Sequence, residues 1–239
     1  LAVNLFGHPA ELQKLRKIAD ENNIYLIEDN AQAPLALENG KYAGTIGHIG
    51  VFSLNYHKHI HTGEGGVCVT QDEELATRLR MIRNHAEAVV GPAKVHDLTN
   101  MIGFNYRMTE LSAAIGLVQL SKIEKHVGLR KEFAENLSNK IASLPGINIP
   151  FVRENCSHVY YNWALKFSKE KVGVSRKIFA KALQAEGFPC SEGYVEPLYM
   201  LPIFRDKQAF GKSNYPFNLT NRTYEYNMCP QAQNLYENE

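Results

Sequence analysis

The first residues of the chain combine short apolar runs with an amphipathic stretch, and this pattern constrains the fold more than any other feature. Residues 1–5 have the composition of a strand, and residues 24–27 form a short continuous apolar run. A strand buried on both faces of a parallel sheet has this second pattern. Between them, after Pro9, apolar residues recur on one helical face over residues 12–22. This strand, helix, strand order predicts an α/β layer.

The pattern continues along the chain and then changes. Residues 49–54 and 66–70 are predicted strands, residues 72–83 a helix and residues 85–105 a loop. Thr109 is a candidate N-cap of a long helix that reaches about residue 143, with a kink expected near Gly128.

After Pro145 the pattern is that of isolated strands and one clear helix. We predict a strand over residues 160–167, a helix over 175–186 stopped by Gly187, and loops with short helices from Pro197 onward. These elements predict two domains, residues 1–128 and a smaller α+β domain over residues 129–239.

Composition excludes several kinds of partner. The 26 Lys and Arg residues nearly balance the 25 Asp and Glu residues, so no global field attracts nucleic acid or an anionic membrane. No apolar run approaches the roughly 20 residues of a membrane helix, and the N-terminus lacks the layout of a signal peptide. The four cysteines are scattered without a C-x-x-C pair. We therefore expect a cytoplasmic protein without a membrane, nucleic-acid or cysteine-zinc site.

Polar residues follow two of the predicted strands. Asp29 comes directly after one strand, Ser53 lies near the end of the next, and Lys58 follows before a glycine-rich turn at residues 62–66. Open α/β sheets bind ligands at the carboxyl ends of their strands. Taken singly, Asp29 could be a turn or capping residue and Lys58 a solvated cation. Their order is what suggests a site.

The set matches what pyridoxal phosphate (PLP) chemistry requires: an anion for the pyridine nitrogen, donors for the phosphate, and an amine that forms a Schiff base. Asp29, Ser53 and Lys58 can supply these three functions in order. Desolvation and a nearby cationic pyridinium would favour the neutral amine by lowering its pKa. Lys58 could then move a proton between substrate and cofactor carbons, which is the central step of transamination.

These residues lie in motifs that resemble the DegT/StrS family of PLP-dependent nucleotide-sugar aminotransferases. The motifs are Ile27-Glu-Asp29-Asn-Ala-Gln32-Ala33, Phe52-Ser53-Leu54, Lys58 with Thr62-Gly-Glu-Gly-Gly66, Arg83-Asn-His85 and Gly103-Phe-Asn105-Tyr-Arg107-Met. The resemblance continues through residues 158–161, 194–199 and 229–230. It implies a fold type I PLP transferase, with a mainly parallel sheet flanked by helices in the large domain, of which residues 1–128 would be the C-terminal part.

The resemblance also implies roles for residues. Asp29 would pair with the pyridine nitrogen, Gln32 would lie near the phenolic oxygen of the cofactor, and Ser53 would hold the phosphate. Asn105 would cross a two-fold interface to the phosphate of the neighbouring subunit, which implies a homodimer with shared sites. The implied reaction converts a keto nucleotide-sugar to an amino sugar, with glutamate as donor, in polysaccharide or antibiotic biosynthesis.

Two alternatives accompany this interpretation. The family includes PLP-dependent sugar dehydratases that carry His at the Schiff-base position, and Lys58 lies between His57 and His59. Counting from Phe52-Ser53 and from Gly63-Glu-Gly-Gly66 places Lys58 at the family's lysine, which favours the aminotransferase branch. The second alternative is a catalytically impaired fragment or a regulatory homologue.

The family's large domain normally begins well before the first strand of this chain. The absent elements include a Ser/Thr-Gly-Thr turn that binds the cofactor phosphate at a helix N-terminus. An aromatic residue that stacks on the cofactor ring is absent as well. We therefore expect this segment alone to bind PLP weakly and to have little transaminase activity.

Other polar residues have simpler interpretations. His57, His59 and His61 alternate, which on a strand would suggest a metal site, but the following glycines indicate a loop and no metal is predicted. From spacing alone, the stretch from Asn105 to Arg107 could simply cap the long helix. His158, Tyr160 and Trp163 are interpreted as packing residues.

Overall fold

The computed structural model describes residues 1–86 and 101–239. Contacts divide the chain into two compact units. The first comprises Leu1–Leu137 and Phe151–Trp163, and the second comprises Ser138–Pro150 and Ala164–Glu239. Most of the loop predicted over residues 85–105 lies outside the described residues. The two functional domains drawn from the sequence, 1–128 and 129–239, stay a prediction.

A mixed four-stranded sheet forms the centre of the first unit. Its strands, in spatial order, are β1 (Ala2–Val3), β2 (Ile27–Asp29), β5 (Ile49–Ser53) and β6 (Gly66–Val69). The first three are parallel, and β6 runs antiparallel to β5. A separate hairpin pairs β3 (Leu37–Glu38) with β4 (Lys41–Tyr42). The expectation of an α/β fold with a mainly parallel sheet is confirmed.

Two of the four helices described in the first unit begin at a side-chain cap. They are α1 (Leu12–Glu21), α2 (Glu73–Arg83), α3 (Glu110–Leu120) and the first part of α4 (Ile123–Ile141), which continues into the second unit. Asp72 accepts hydrogen bonds from two backbone amides at the start of α2, and Thr109 accepts one from Ser112 at the start of α3. Side-chain oxygens at these positions satisfy amides that have no partner within the helix.

The break in the long helical segment lies at Ser121 and not near Gly128, so the predicted kink position is wrong. The Ser121 hydroxyl donates to the carbonyl of Val118 at 2.8 Å, and α3 ends there. Serine competes in this way with the helical backbone pattern. Gly128 lies inside α4, where a single glycine costs only about 1 kcal/mol and does not end the helix.

Two predicted strands are displaced or largely absent. Strand β2 begins only at Ile27, because the chain turns through Asn23, which has a φ of 52°, and leaves Ile24 and Tyr25 exposed. Asp29 is therefore the last residue of β2 and does not follow it. Residues 160–165 form no strand, because amides of the 159–162 segment bond to carbonyls of residues 6 and 7 in place of a ladder.

The second unit contains one short sheet and several short helices. Its strands β7 (Ile147–Asn148) and β8 (Lys166–Phe167) are antiparallel. Its remaining helices are α5 (Lys169–Val172), α6 (Arg176–Ala185), α7 (Pro202–Arg205) and α8 (Pro230–Glu237). Ser175 caps α6, and Gly187, with a φ of 86°, follows its end. Among the described residues, no helix has the length and apolar character required to cross a membrane.

Candidate active site

Two predicted site residues end adjacent parallel strands. Asp29 ends β2 and Ser53 ends β5, so both lie at the carboxyl edge of the sheet. The Asp29 carboxylate accepts a hydrogen bond from the amide of Ala31 at 3.1 Å, and the Ser53 hydroxyl accepts one from the amide of Asn55 at 3.2 Å. Neither side chain is fully buried. Both retain capacity for a further partner, since a carboxylate or hydroxyl oxygen accepts more than one bond.

Lys58 lies in a turn that backbone hydrogen bonds hold closed. The amide of Lys58 donates to the carbonyl of Asn55 at 3.0 Å, and the amide of Thr62 donates to the carbonyl of Leu54 at 3.0 Å. The amide of Leu54 in turn donates to the carbonyl of Gly65 at 2.9 Å. A Cβ at Gly65 would come within 2.7 Å of the Thr62 hydroxyl, so the glycine permits this close approach. The turn therefore has a defined shape.

The Lys58 amine is partly buried between a carboxylate and an aromatic ring. Its Nζ lies 4.5 Å from the centroid of the Tyr161 ring. Burial lowers the pKa of Lys58 below its ordinary value, and the charge of Asp29 opposes that shift. Desolvation disfavours the ammonium form, so the neutral amine is more available here than on an exposed lysine.

The three histidines beside Lys58 have different environments. His59 is 7% exposed and its Nε2 lies 3.1 Å from the carbonyl oxygen of Val159, so Nε2 carries the proton that the carbonyl accepts. Burial lowers the pKa of His59 to about 4. His57 is exposed, and His61 Nδ1 accepts from the amide of Gly63 at 3.3 Å. Within residues 1–86 and 101–239 no group of three His, Cys, Asp or Glu side chains is arranged to hold a metal ion.

Of the other two predicted site residues, Gln32 lies close to Asp29 in the chain, whereas Asn105 is exposed. Gln32, three residues after Asp29, accepts a hydrogen bond from the amide of Phe6 at 2.7 Å. Asn105 is exposed and forms an isolated bridge with Asn84. No described contact joins Asn105 to Lys58. The structure thus brings Asp29, Gln32, Ser53 and Lys58 to one edge of the sheet and leaves Asn105 on the surface.

Sequence reasoning missed Glu28, a buried carboxylate one residue before Asp29 in β2. Its side chain is completely buried between Ile27 and Asp29. Its carboxylate accepts hydrogen bonds from the amides of Gly44, Ile46 and Gly47, the one from Ile46 at 2.8 Å. A glutamate inside an apolar strand was the signal available, because buried carboxylates require partners. Those partners could not be named from the sequence.

The contact between Tyr161 and the Lys58 amine was also missed. The ring lies near His57 and His59, with centroid distances of 6.1 and 6.0 Å. It also borders a cavity of about 390 Å³ between α4 and residues 160–163. The resemblance motif at residues 158–161 was the only signal in the sequence, and it gave no role.

Comparison with known proteins is consistent with this geometry. The model of the DegT/DnrJ/EryC1/StrS aminotransferase family matches residues 1–236. GDP-perosamine synthase of Vibrio cholerae is 32% identical over 217 residues, which cover 90% of this chain and 57% of that protein. The chain therefore spans little more than half the length of this relative.

Two solved structures extend the likeness to the fold. The Streptomyces venezuelae DesV structure in complex with a ketimine intermediate has a TM-score of 0.80 and 26% identity, covering 99% of this chain and 57% of that one. The Escherichia coli GDP-4-keto-6-deoxy-D-mannose-3-dehydratase with bound hydrated PLP has a TM-score of 0.68 and 32% identity, covering 79% and 51%. These likenesses confirm the expected fold type I architecture and PLP as the cofactor. The chain belongs to the DegT/DnrJ/EryC1/StrS aminotransferase family.

Proposed function

We propose that this chain carries the catalytic lysine of a PLP-dependent aminotransferase that converts a keto nucleotide-sugar to an amino sugar, with glutamate as amino donor. The observation that carries the proposal is the environment of the Lys58 amine. This amine is partly buried, has a lowered pKa and lies within electrostatic reach of Asp29 at the carboxyl edge of the sheet. Relatives in both branches of the family support the substrate class.

The residues at this edge fit PLP. Asp29 provides the anion for the pyridine nitrogen, Ser53 a hydroxyl for the phosphate, and Lys58 an amine for the aldehyde. The buried Nδ1 of His59, which has no hydrogen-bond partner among the described residues, adds a further acceptor beside Lys58. When bound, PLP supplies an electron sink that stabilises negative charge on the substrate carbon.

The side chains of the chain itself then perform separate tasks. Asp29 would keep a proton on the pyridine nitrogen, and Ser53 would donate to a phosphate oxygen. The Nζ of Lys58 would accept a proton from the substrate carbon and return it to the cofactor carbon on the other side of the nitrogen, which requires a neutral amine with a lowered pKa. Gln32, whose side chain accepts from the amide of Phe6, would lie near the phenolic oxygen of the cofactor.

We further propose that the active unit is a homodimer in which Asn105 serves the site of the neighbouring subunit. Helix α3, which begins five residues after Asn105, has no buried residue, and its exposed apolar side chains include Leu111 and Leu117. Exposed apolar surface of this kind is typical of an interface.

Sedimentation velocity tests the proposed dimer. Leu117→Asp should shift a dimer to monomer, while Glu110→Gln should not. A wild-type monomer at micromolar concentration would contradict it.

The dehydratase alternative receives less support from the side chains beside Lys58. The Nε2 of His59 donates to the carbonyl of Val159, and His57 is exposed. A histidine with the role of the family's dehydratase residue would have to take the place of Lys58.

Two further predictions belong to the proposal. They are a role in polysaccharide or antibiotic biosynthesis and a cytoplasmic location.

Incubation with PLP, ¹⁵N-glutamate and a GDP-linked or dTDP-linked 4-keto-6-deoxy sugar tests the reaction. We expect a small but detectable amount of ¹⁵N in the sugar product by mass spectrometry, because this segment alone is expected to have little activity, and none with Lys58→Ala. Loss of the C3 hydroxyl without ¹⁵N incorporation would assign the dehydratase branch. If the protein extended at its N-terminus also gives neither product, the proposed function is wrong.

Cofactor binding is tested separately by visible absorbance. Wild-type protein titrated with PLP should develop a band that Lys58→Ala lacks, while Lys41→Ala, which changes an exposed lysine of β4, should retain it. An unchanged spectrum in Lys58→Ala would remove Lys58 from the site.

A further inference from the structure

Tyr161 is the aromatic side chain that contacts the Lys58 amine. The Nζ lies 4.5 Å from the ring centroid, within the range of a cation–π contact. The ring therefore covers one side of the amine.

Backbone contacts fix the position of Tyr161 independently of its ring. The amide of Val159 donates to the carbonyl of Gly7 at 2.9 Å, and the amide of Asn162 donates to the carbonyl of Phe6 at 3.3 Å. Gly7 has a φ of 103°, and a Cβ there would lie 2.9 Å from the amide nitrogen of Tyr161. The segment carrying Tyr161 is thus held against the start of the chain.

A second contact joins the same segment to the Lys58 turn. His59 Nε2 donates to the carbonyl of Val159 at 3.1 Å, and both residues are buried. Adjacent residues of the turn, Lys58 and His59, therefore contact the segment at Tyr161 and Val159. Two contacts between two short segments restrict how far the amine can move.

Two titratable side chains of the described residues lie near the amine. Asp29 is the charged group whose field raises the pKa of Lys58, and the imidazole of His59 lies beside the turn with its own pKa lowered to about 4. His59 is therefore neutral near pH 7. The Tyr161 ring is the aromatic surface that contacts the amine.

We propose that Tyr161 is a positioning residue for Lys58: its ring face holds the amine whenever the amine is not bonded to the cofactor. This inference rests on the proposed function for its catalytic meaning, whereas the contact itself concerns only this chain. The ring and not the hydroxyl carries the role, because a cation–π contact uses the aromatic face.

Nuclear magnetic resonance tests the contact in protein without cofactor. Lysine amines are reductively methylated with ¹³C-formaldehyde, and the Lys58 resonance is assigned by its loss in Lys58→Arg. An amine over an aromatic face should give an upfield-shifted methyl proton resonance. We expect that shift to persist in Tyr161→Phe and to vanish in Tyr161→Leu. An upfield shift retained in Tyr161→Leu, or absent from the wild type, would overturn the proposal.

Tyr56 provides a matched control. It is an exposed tyrosine two residues before Lys58 whose ring contacts His57. Tyr56→Leu should leave the shifted resonance unchanged. If it removes the resonance as Tyr161→Leu does, the effect is a general loosening of the turn and the assigned role of Tyr161 is wrong.

The kinetic consequence is tested by the rate of PLP capture followed by absorbance. Tyr161→Leu should slow capture by about tenfold, because the amine is no longer held in one orientation, and Tyr161→Phe should stay within about twofold of wild type. Equal rates in wild type and Tyr161→Leu would contradict the role. Absence of capture in the wild type would instead count against the proposed function, because the resonance measurement decides the contact separately.

Folding is checked by circular dichroism, and Tyr161→Met replaces Tyr161→Leu if the latter does not fold. The methionine variant has no aromatic face and should lose the shifted resonance. Retention of that resonance would overturn the proposal.

Discussion

The turn around Lys58 and the stretch around Asn105 both carry family motifs, yet the chain holds them in different ways. In the turn, Leu54, His59 and Thr62 are buried; hydrogen bonds of Leu54 and Thr62 close the turn, and His59 joins it to Val159. Around Asn105, neighbouring apolar side chains such as Tyr106 are exposed. The difference teaches that the chain organises the lysine side of the site by its own packing. The proposed role of Asn105 requires a second subunit.

The largest expected effect on stability comes from the buried carboxylate of Glu28, one residue before Asp29. Glu28→Ala leaves the amides of Gly44, Ile46 and Gly47 without their acceptor, and should reduce the free energy of unfolding by about 3 kcal/mol or more. Urea denaturation measures the loss. Glu64→Ala is the control, because Glu64 is exposed and accepts from the side chain of Asn55, and its effect should stay within about 1 kcal/mol. Equal losses of unfolding free energy in both variants would show that the hydrogen bonds of Glu28 do not stabilise the fold.

The next effect is a loss of stability in acid. Burial lowers the pKa values of His59 and His158 to about 4, so the folded state binds fewer protons than the unfolded state. Stability from this source is complete above about pH 6.5 and is lost as the pH falls towards 4, by on the order of 3 kcal/mol for His59.

The thermal midpoint measured from pH 7.5 to 4 should fall, and His158→Gln should flatten part of that fall. The same change at exposed His126 should not. A wild-type midpoint that stays constant down to pH 4.5 would refute the assigned burial of these rings.

A smaller effect is expected from the cap of α3, the helix that follows Asn105. Thr109→Ala removes the acceptor of the Ser112 amide and should lower the free energy of unfolding by about 1 kcal/mol, while Thr109→Ser should retain it. Asp72→Ala gives the matching value for α2, the helix that follows β6. A much larger loss at Thr109 would mean that the Asn105 region is packed more tightly than its exposure indicates.

The smallest effect on stability is expected at Asn105 itself. Asn105→Ala removes an exposed side chain and should change the free energy of unfolding by less than about 0.5 kcal/mol. It should nevertheless weaken PLP binding by the dimer, as an absorbance titration would detect. A large change in stability with unchanged PLP affinity would mean that Asn105 contributes to the packing of its own subunit and not to a cofactor site.

Local patterns predicted much of the fold and part of the site. Thr109 was predicted as a cap and is one, because a cap depends only on neighbouring amides. The helices predicted to start at about Asp72 and Ser175 begin one residue later, and these two residues cap them. Asp29 and Ser53 followed from their places at strand ends.

The residues that were missed depend on contacts between distant parts of the chain. Glu28 is satisfied by amides of the turn at residues 44–47, and Lys58 contacts Tyr161 from a segment far along the sequence. The start of β2 was misplaced because an apolar run does not reveal where a turn with positive φ ends.

Reductive trapping tests the central claim, that Lys58 is the amine of the cofactor site, most directly. The protein is incubated with PLP, reduced with borohydride and digested, and the pyridoxyl group is located by mass spectrometry. We predict that the label concentrates on the peptide containing Lys58 at PLP concentrations that leave exposed Lys41 unmodified, and that Lys58→Arg abolishes it. A label spread evenly over surface lysines, or one that persists in Lys58→Arg, would contradict the assignment.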